Sequence, residues 1–317
     1  MVLVYSEKEN IAYELLNKGR ELADKLGRKL IAVVIGGDKD LAKNLIAYGA
    51  DEVVVIKSPV SSFKAEEYAD ILKQVVEEKS VETILIGSTK NGKELASRLS
   101  GILKTGCIID AVDVYLEDNK VYTKRVVYSG NAVALQGFNS KPAIVTIPPR
   151  LIDPLPRDDK RKGEIEEKEY KVKPSSSSIV KITEMQTDSV NVEEADIIVS
   201  CGRGFKNKED LKLAEELAEA LKGKTIGCSR PIAADLKWLS EDHWIGLSGH
   251  KVKPKLYIAV GISGQIQHIA GMRDSGIVVA INKDPDALIF KSADYGIVGD
   301  LYEVLPKLTE VIKEKLG

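Results

Sequence analysis

Cysteine is scarce in this chain of 317 residues: Cys107, Cys201 and Cys228 are all there are. No two of them have C-x-x-C spacing, so neither a zinc site nor an iron–sulfur cluster is expected. Three reduced, partly buried thiols are the expectation instead. Aromatic residues make up only 5%, and 46 basic residues stand against 48 acidic ones. A nucleic-acid surface needs an excess of cations for the phosphates and rings for the bases, so that class is set aside. No apolar run approaches the ~20 residues that cross a bilayer. Met1 to Tyr5 also enters a strand-like run without a basic and apolar leader. A cytoplasmic protein with no transmembrane segment is the expectation. Finally, no nucleophile lies beside a base and no acids cluster with histidine for a metal, which points away from hydrolysis and metal chemistry.

What is present is a regular rhythm. The length suits two domains at ~150 residues each. Strand-like runs at Val2–Tyr5, Leu30–Ile35, Glu52–Ile56 and Thr83–Ile86 alternate with helical patterns, the first carrying Ile11, Leu15, Leu22 and Leu26 on one face. Strands that are apolar throughout, separated by helices, imply a parallel sheet covered on both sides. The fold class is therefore α/β in two domains, each a largely parallel sheet flanked by helices. From Val112 the pattern shortens to Val112–Leu116, Val121–Tyr128, Ala132–Gln136 and Ala143–Ile147, with Glu117-Asp118-Asn119-Lys120 as a hairpin cue. Prolines at 148, 149, 154 and 156, the charged run Arg157–Lys173 and the serines 175–178 read as a linker by composition. Ile165, Tyr170, Val172 and Ile179–Met185 carry enough apolar character for added strands. The boundary is placed near Val190, giving domains 1–189 and 190–317. Gly87-Ser88-Thr89 ends a strand where open α/β sheets bind ligands, but it lacks the longer glycine fingerprint and is read as structural.

The second half restarts the alternation and concentrates the chemistry. Leu256–Val260 runs into Gly261-Ile262-Ser263-Gly264, then Gln265, Gln267 and His268, and a second apolar run, Ile277–Ile281, ends at Asn282. In a strand, glycine turn, helix and strand unit the unpaired N–H groups of the turn favour a phosphate. Two other strand ends carry Cys201-Gly202-Arg203-Gly204 and Gly227-Cys228-Ser229-Arg230-Pro231. Polar groups meeting over one sheet edge suit a dinucleotide.

The stretch Leu256–Met272, followed by Val279-Ala280-Ile281-Asn282-Lys283-Asp284, resembles the signature of the electron transfer flavoprotein alpha subunit, or FixB, family. Similarity continues through Ala287–Asp300 and the two glycine-containing strand ends, and more weakly across the first half. The resemblance implies a C-terminal Rossmann-like domain that binds FAD and an N-terminal nucleotide-binding-like domain with no nucleotide of its own. It implies a heterodimer with a beta subunit, carrying electrons from dehydrogenases to a quinone reductase or related acceptor, an electron carrier rather than an enzyme acting alone on a substrate. By resemblance Arg203, Ser229 and Arg230 lie near the flavin. Ser263, Gly264 and Gln267 match positions at the pyrophosphate or adjoining cofactor atoms, while Asn282 and Asp300 match positions at the adenosine end. His268 would donate a hydrogen bond where reduced flavin gathers negative charge. The segment Trp244–His250, with Ile245, Ser248 and Gly249, corresponds to a family loop closer to Gly-Gln-Thr-Gly-Lys. Ser248 keeps a hydroxyl able to reach flavin N5, whereas Leu247 replaces an amide and His250 a lysine.

Three alternatives stand beside this reading. One is the FAD-binding subunit of an electron-bifurcating complex using NADH and ferredoxin. Another is a stand-alone NAD(P)-dependent or deacetylase-like enzyme. The third is a nucleotide-sensing or scaffolding module without a redox cofactor.

Overall fold

The computed structural model describes residues 1–57, 63–181, 191–223 and 225–316. Two compact units emerge, residues 1–181 and 182–317. The boundary expected near Val190, and most of the strand expected at Ile179–Met185, lie outside the described residues; residues 179–181 carry no strand.

In the first unit the apolar runs become β1 (Val2–Tyr5), β2 (Leu30–Ile35), β3 (Glu52–Ile56) and β4 (Thr83–Gly87), alternating with α1 (Glu9–Leu26), α2 (Lys39–Ala47), α3 (Ala65–Glu78) and α4 (Lys90–Leu103). With β5 (Cys107–Ile108), β9 (Ala143–Ile147) and β10 (Glu164–Lys168) they form an all-parallel sheet of order β10-β3-β2-β1-β4-β9-β5. Because successive side chains point to opposite faces, an apolar strand feeds two cores. Val2, Val4 and Leu85 pack with Leu15, Leu16 and Leu22 of α1 on one face, and Leu3, Ile31 and Ile84 pack with Leu72 and Leu95 of α3 and α4 on the other. β10 comes from the charged run that composition assigns to a linker. Its pairing with β3 is flanked by ion pairs from Lys79 to Glu166 at 2.7 Å and from Arg161 to Asp51 at 2.9 Å. β6 (Ala111–Glu117), β7 (Lys120–Val127) and β8 (Ala132–Gly137) make an antiparallel meander. Asp118 and Asn119 both take positive φ, 49° and 59°, the left-handed pair that a two-residue hairpin turn requires.

The second unit is a five-stranded parallel sheet of order β12-β11-β13-β14-β15, from β11 (Ile197–Cys201), β12 (Ile226–Cys228), β13 (Leu256–Val260), β14 (Ile277–Asn282) and β15 (Tyr295–Val298). One face is covered by α5 (Lys212–Ala220) and α7 (Leu301–Leu316), through Leu217, Ala218, Leu301 and Leu305. The other meets α6 (Ile266–Met272) and the segments around Ile245 and Val252. From β11 the chain moves outward to β12, and from β13 it moves the other way to β14 and β15. The strand order therefore reverses between β11 and β13, and in open α/β sheets ligands bind beyond the strand ends at such a reversal.

Candidate functional site

The carboxyl ends of all five strands of the second unit carry the polar residues singled out from the sequence. In sheet order they are Ser229 and Arg230 after β12, Arg203 after β11, Ser263 and Gly264 after β13, Asn282 closing β14, and Asp300 after β15. Backbone bonds continue the ladder into this rim: Ser229 N–H to the Cys201 carbonyl at 2.9 Å, Gly202 N–H to Val260 at 2.9 Å, Gly204 N–H to Gly261 at 3.0 Å, and Gly299 N–H to Asn282 at 3.0 Å. Glycine is needed where these turns touch. A Cβ on Gly202 would lie 2.3 Å from the Gly261 carbonyl oxygen. Gly264 has φ +84°, and a Cβ there would lie 2.1 Å from the Ile289 nitrogen.

The rim is cationic and open at one end, fixed at the other. Arg203, Arg230, Ser263 and Gln267 are exposed, with Ser229 and Gly264 buried beneath them. The Arg230 guanidinium sits 6.0 Å from the centre of the Trp244 ring, which holds it by cation–π attraction. Asn282 donates from its amide to the Ile262 carbonyl at 2.9 Å and accepts from the Asp284 N–H at 3.0 Å, so it fastens the glycine turn to the next strand. The Asp300 carboxylate accepts the Tyr302 N–H at 2.9 Å, capping α7. α6 has only seven residues. What it offers an anion is therefore the free N–H groups of a first turn and of the glycine turn before it, more than a long aligned dipole.

The segment Trp244–His250 folds against α6. Ile245 N–H bonds to the Cys228 carbonyl at 2.9 Å and Leu247 N–H to the Gln267 carbonyl at 2.7 Å, while His250 N–H closes the loop on Trp244 at 2.8 Å. This places Ile245 in the core and leaves Leu247 and Ser248 exposed and Gly249 half-buried at the rim. His250 turns its Nδ1 to Glu193 Oε1 at 2.9 Å.

His268 is buried in the first turn of α6, with 7% of its surface exposed. Its Nε2 lies 2.9 Å from the Tyr257 hydroxyl, and its Nδ1 is buried with no hydrogen-bond partner. Burial pulls its pKa down to about 4; the Ile245 backbone opposes the shift without reaching hydrogen-bond geometry. An orphaned buried nitrogen is costly unless something bonds to it. A flavin, which presents carbonyl and ring-nitrogen acceptors, supplies such a partner, and the cationic rim suits its pyrophosphate; the donor set fits FAD. Tyr257 and Trp244 belong to the site and were not singled out from the sequence. The signal for Tyr257 was a phenol inside an otherwise apolar strand. Cys201 and Cys228 lie side by side in β11 and β12, fully buried. Burial raises both thiol pKa values, that of Cys228 to about 12, so both stay protonated. Among the described residues no three His, Cys, Asp or Glu side chains group to hold a metal, and no helix is long and apolar enough to cross a membrane.

Comparison with known proteins agrees along the whole chain. Residues 2–173 match the family described as electron transfer flavoprotein domain, and residues 191–273 match the electron transfer flavoprotein FAD-binding domain. The electron transfer flavoprotein subunit alpha of Thermoanaerobacterium thermosaccharolyticum is 42% identical, covering 96% of this chain and 94% of that protein. Its counterpart from Bacillus subtilis is 40% identical over 97% and 94%. Protein FixB of Clostridium saccharobutylicum is 36% identical over 97% and 93%. With both halves matched and identity sustained over nearly the full length, the chain belongs to the electron transfer flavoprotein alpha-subunit, or FixB, family.

Proposed function

We propose that this chain is the alpha subunit of a heterodimeric electron transfer flavoprotein and that the rim of its second unit holds FAD. The observation that carries the reading is the row of polar strand ends across the β11/β13 reversal, with a buried, unpartnered His268 nitrogen beside it. Ser263, Gly264 and Gln267 at the glycine turn hold the pyrophosphate. Asn282 and Asp300 lie on the adenosine side, where each combines ligand contact with its task of fastening the turn or capping α7. Arg203, Arg230, Ser248, Gly249 and His268 would face the isoalloxazine ring, the Ser229 hydroxyl would bind a phosphate oxygen, and Ile245, buried in the core, would support the loop beneath them.

FAD, when bound, supplies reversible one- and two-electron transfer. The chain's own residues orient it and set its electrostatics. Arg203 and Arg230 offset negative charge on the reduced cofactor, and Trp244 keeps Arg230 in place. His268 donates a hydrogen bond as a neutral ring, since its lowered pKa leaves it uncharged near pH 7. A beta subunit covers the exposed rim. Dehydrogenases deliver electrons, a quinone reductase or related acceptor removes them, and the cytoplasm is the setting.

Titration of the flavin-stripped complex with FAD, FMN and ATP tests the assignment. The chain has two tryptophans, Trp238 and Trp244, and Trp244 under Arg230 reports on the site. Saturable quenching by FAD, with ATP far weaker, is expected; ATP binding as tight as FAD overturns the reading in favour of a nucleotide-sensing module.

A further inference from the structure

A bonded pair of buried polar side chains, Tyr257 and His268, lies beneath the rim, with Ser200 on the same sheet. Ser200 on β11 and Tyr257 on β13 are both fully buried in strands that are otherwise almost wholly apolar. Strand register sets Ser200 opposite Ala259 and Ile198 opposite Tyr257, so Ser200 and Tyr257 share the face that α6 covers. The Tyr257 hydroxyl lies 2.9 Å from His268 Nε2, with the rings 6.2 Å apart and tilted by 53°. A buried polar group persists in a core when it is bonded, and the Tyr257 hydroxyl positions the one ionisable side chain of α6.

A neutral imidazole has one N–H and one lone pair, and the partner of one nitrogen decides which is which. Burial drives the Tyr257 phenol far above its ordinary pKa, so its oxygen keeps a proton to donate. That proton lies within reach of the His268 Nε2 lone pair, the oxygen and nitrogen being 2.9 Å apart.

We infer that Tyr257 is a positioning residue: by donating to Nε2 it holds His268 as the Nδ1–H tautomer and leaves that N–H, the ring's unpartnered atom, for an acceptor on the bound cofactor. The identity of that acceptor as a flavin carbonyl or ring nitrogen rests on the proposed FAD site. The tautomer is a property of the chain alone. In the other tautomer His268 would present a lone pair to an electron-rich acceptor and repel it, most strongly once the acceptor gains negative charge.

The chain has three histidines, so two-bond 1H–15N spectra of the full-length, flavin-free protein labelled with 15N-histidine resolve each ring. The His268 signals, identified by their loss in His268→Gln, are expected in the Nδ1–H form. In Tyr257→Phe, which keeps the buried ring, they shift toward the Nε2–H form. A wild-type ring already in the Nε2–H form, or a tautomer unchanged in Tyr257→Phe, overturns the inference, and the wild-type spectrum decides even if the variant folds poorly. In the flavin-loaded complex Tyr257→Phe lowers the first one-electron potential by less than His268→Ala and weakens FAD binding by no more than about tenfold. An unchanged potential overturns the link from tautomer to cofactor. A wild-type complex that takes up no FAD overturns the flavin reading instead, and leaves the tautomer result standing.

Discussion

His268 shows how one side chain ties stability to the site. Its ordinary pKa of 6.5 falls to about 4 in the folded chain. Between those values the unfolded chain binds a proton that the folded one does not, so the contribution is complete above about pH 6.5 and is lost as pH falls toward 4. The size is on the order of 3 kcal/mol. Urea unfolding of wild type and His268→Gln across pH 4 to 7 checks this: the slope of stability against pH flattens in the variant, and equal slopes contradict it. Arg230 is exposed and held only by the Trp244 ring, so Arg230→Ala leaves the fold intact. It weakens FAD binding by roughly tenfold or more through loss of a charge-assisted contact, as measured by titration. At this scale the sequence showed most of the rim, because glycines, arginines and serines stood at strand ends. It did not show the Tyr257–His268 bond. That contact depends on how α6 lies over β13, a matter of packing that spacing along the chain does not encode.

Secondary elements were legible where the apolar run was long. β1 to β4 and the second unit's strands follow from continuous apolar stretches, and the turn between β6 and β7 from Asp118-Asn119. β5 escaped because two residues carry no periodicity, and β10 was hard to read because an edge strand with ion pairs looks like a charged linker. Glycines separate turn from helix in the same terms. Gly264→Ala meets both a positive φ and the Ile289 backbone, so it destabilises the second unit by several kcal/mol and lowers its melting temperature. Gly101, in the last turns of α4, has open space where a Cβ would go. Gly101→Ala therefore raises stability by about 0.5–1 kcal/mol. Thermal melts of the two variants should move in opposite directions, and a stable Gly264→Ala chain would show that the close approach is relaxed in solution.

Over the whole molecule, two parallel sheets were readable from alternation and the presence of two units from length and the restart of the pattern, while the place of the division depends on long-range contacts that no local pattern reports. Among the described residues, the second unit's sheet carries the full row of polar strand ends with the orphaned buried His268 nitrogen. The proposed FAD site therefore lies in the second unit, whose residues 191–273 match the FAD-binding domain. FAD at a hundredfold excess over its dissociation constant adds about 2.7 kcal/mol to the stability of the unit that binds it. The most direct measurement is the flavin content of the wild-type chain co-purified with its beta subunit, set beside a complex carrying Arg203→Ala, Arg230→Ala and Ser263→Ala together. A yellow wild-type complex with about one FAD per alpha chain is expected, with little or none in the triple variant. A colourless wild-type complex, or a triple variant that keeps its flavin, would contradict the proposed site.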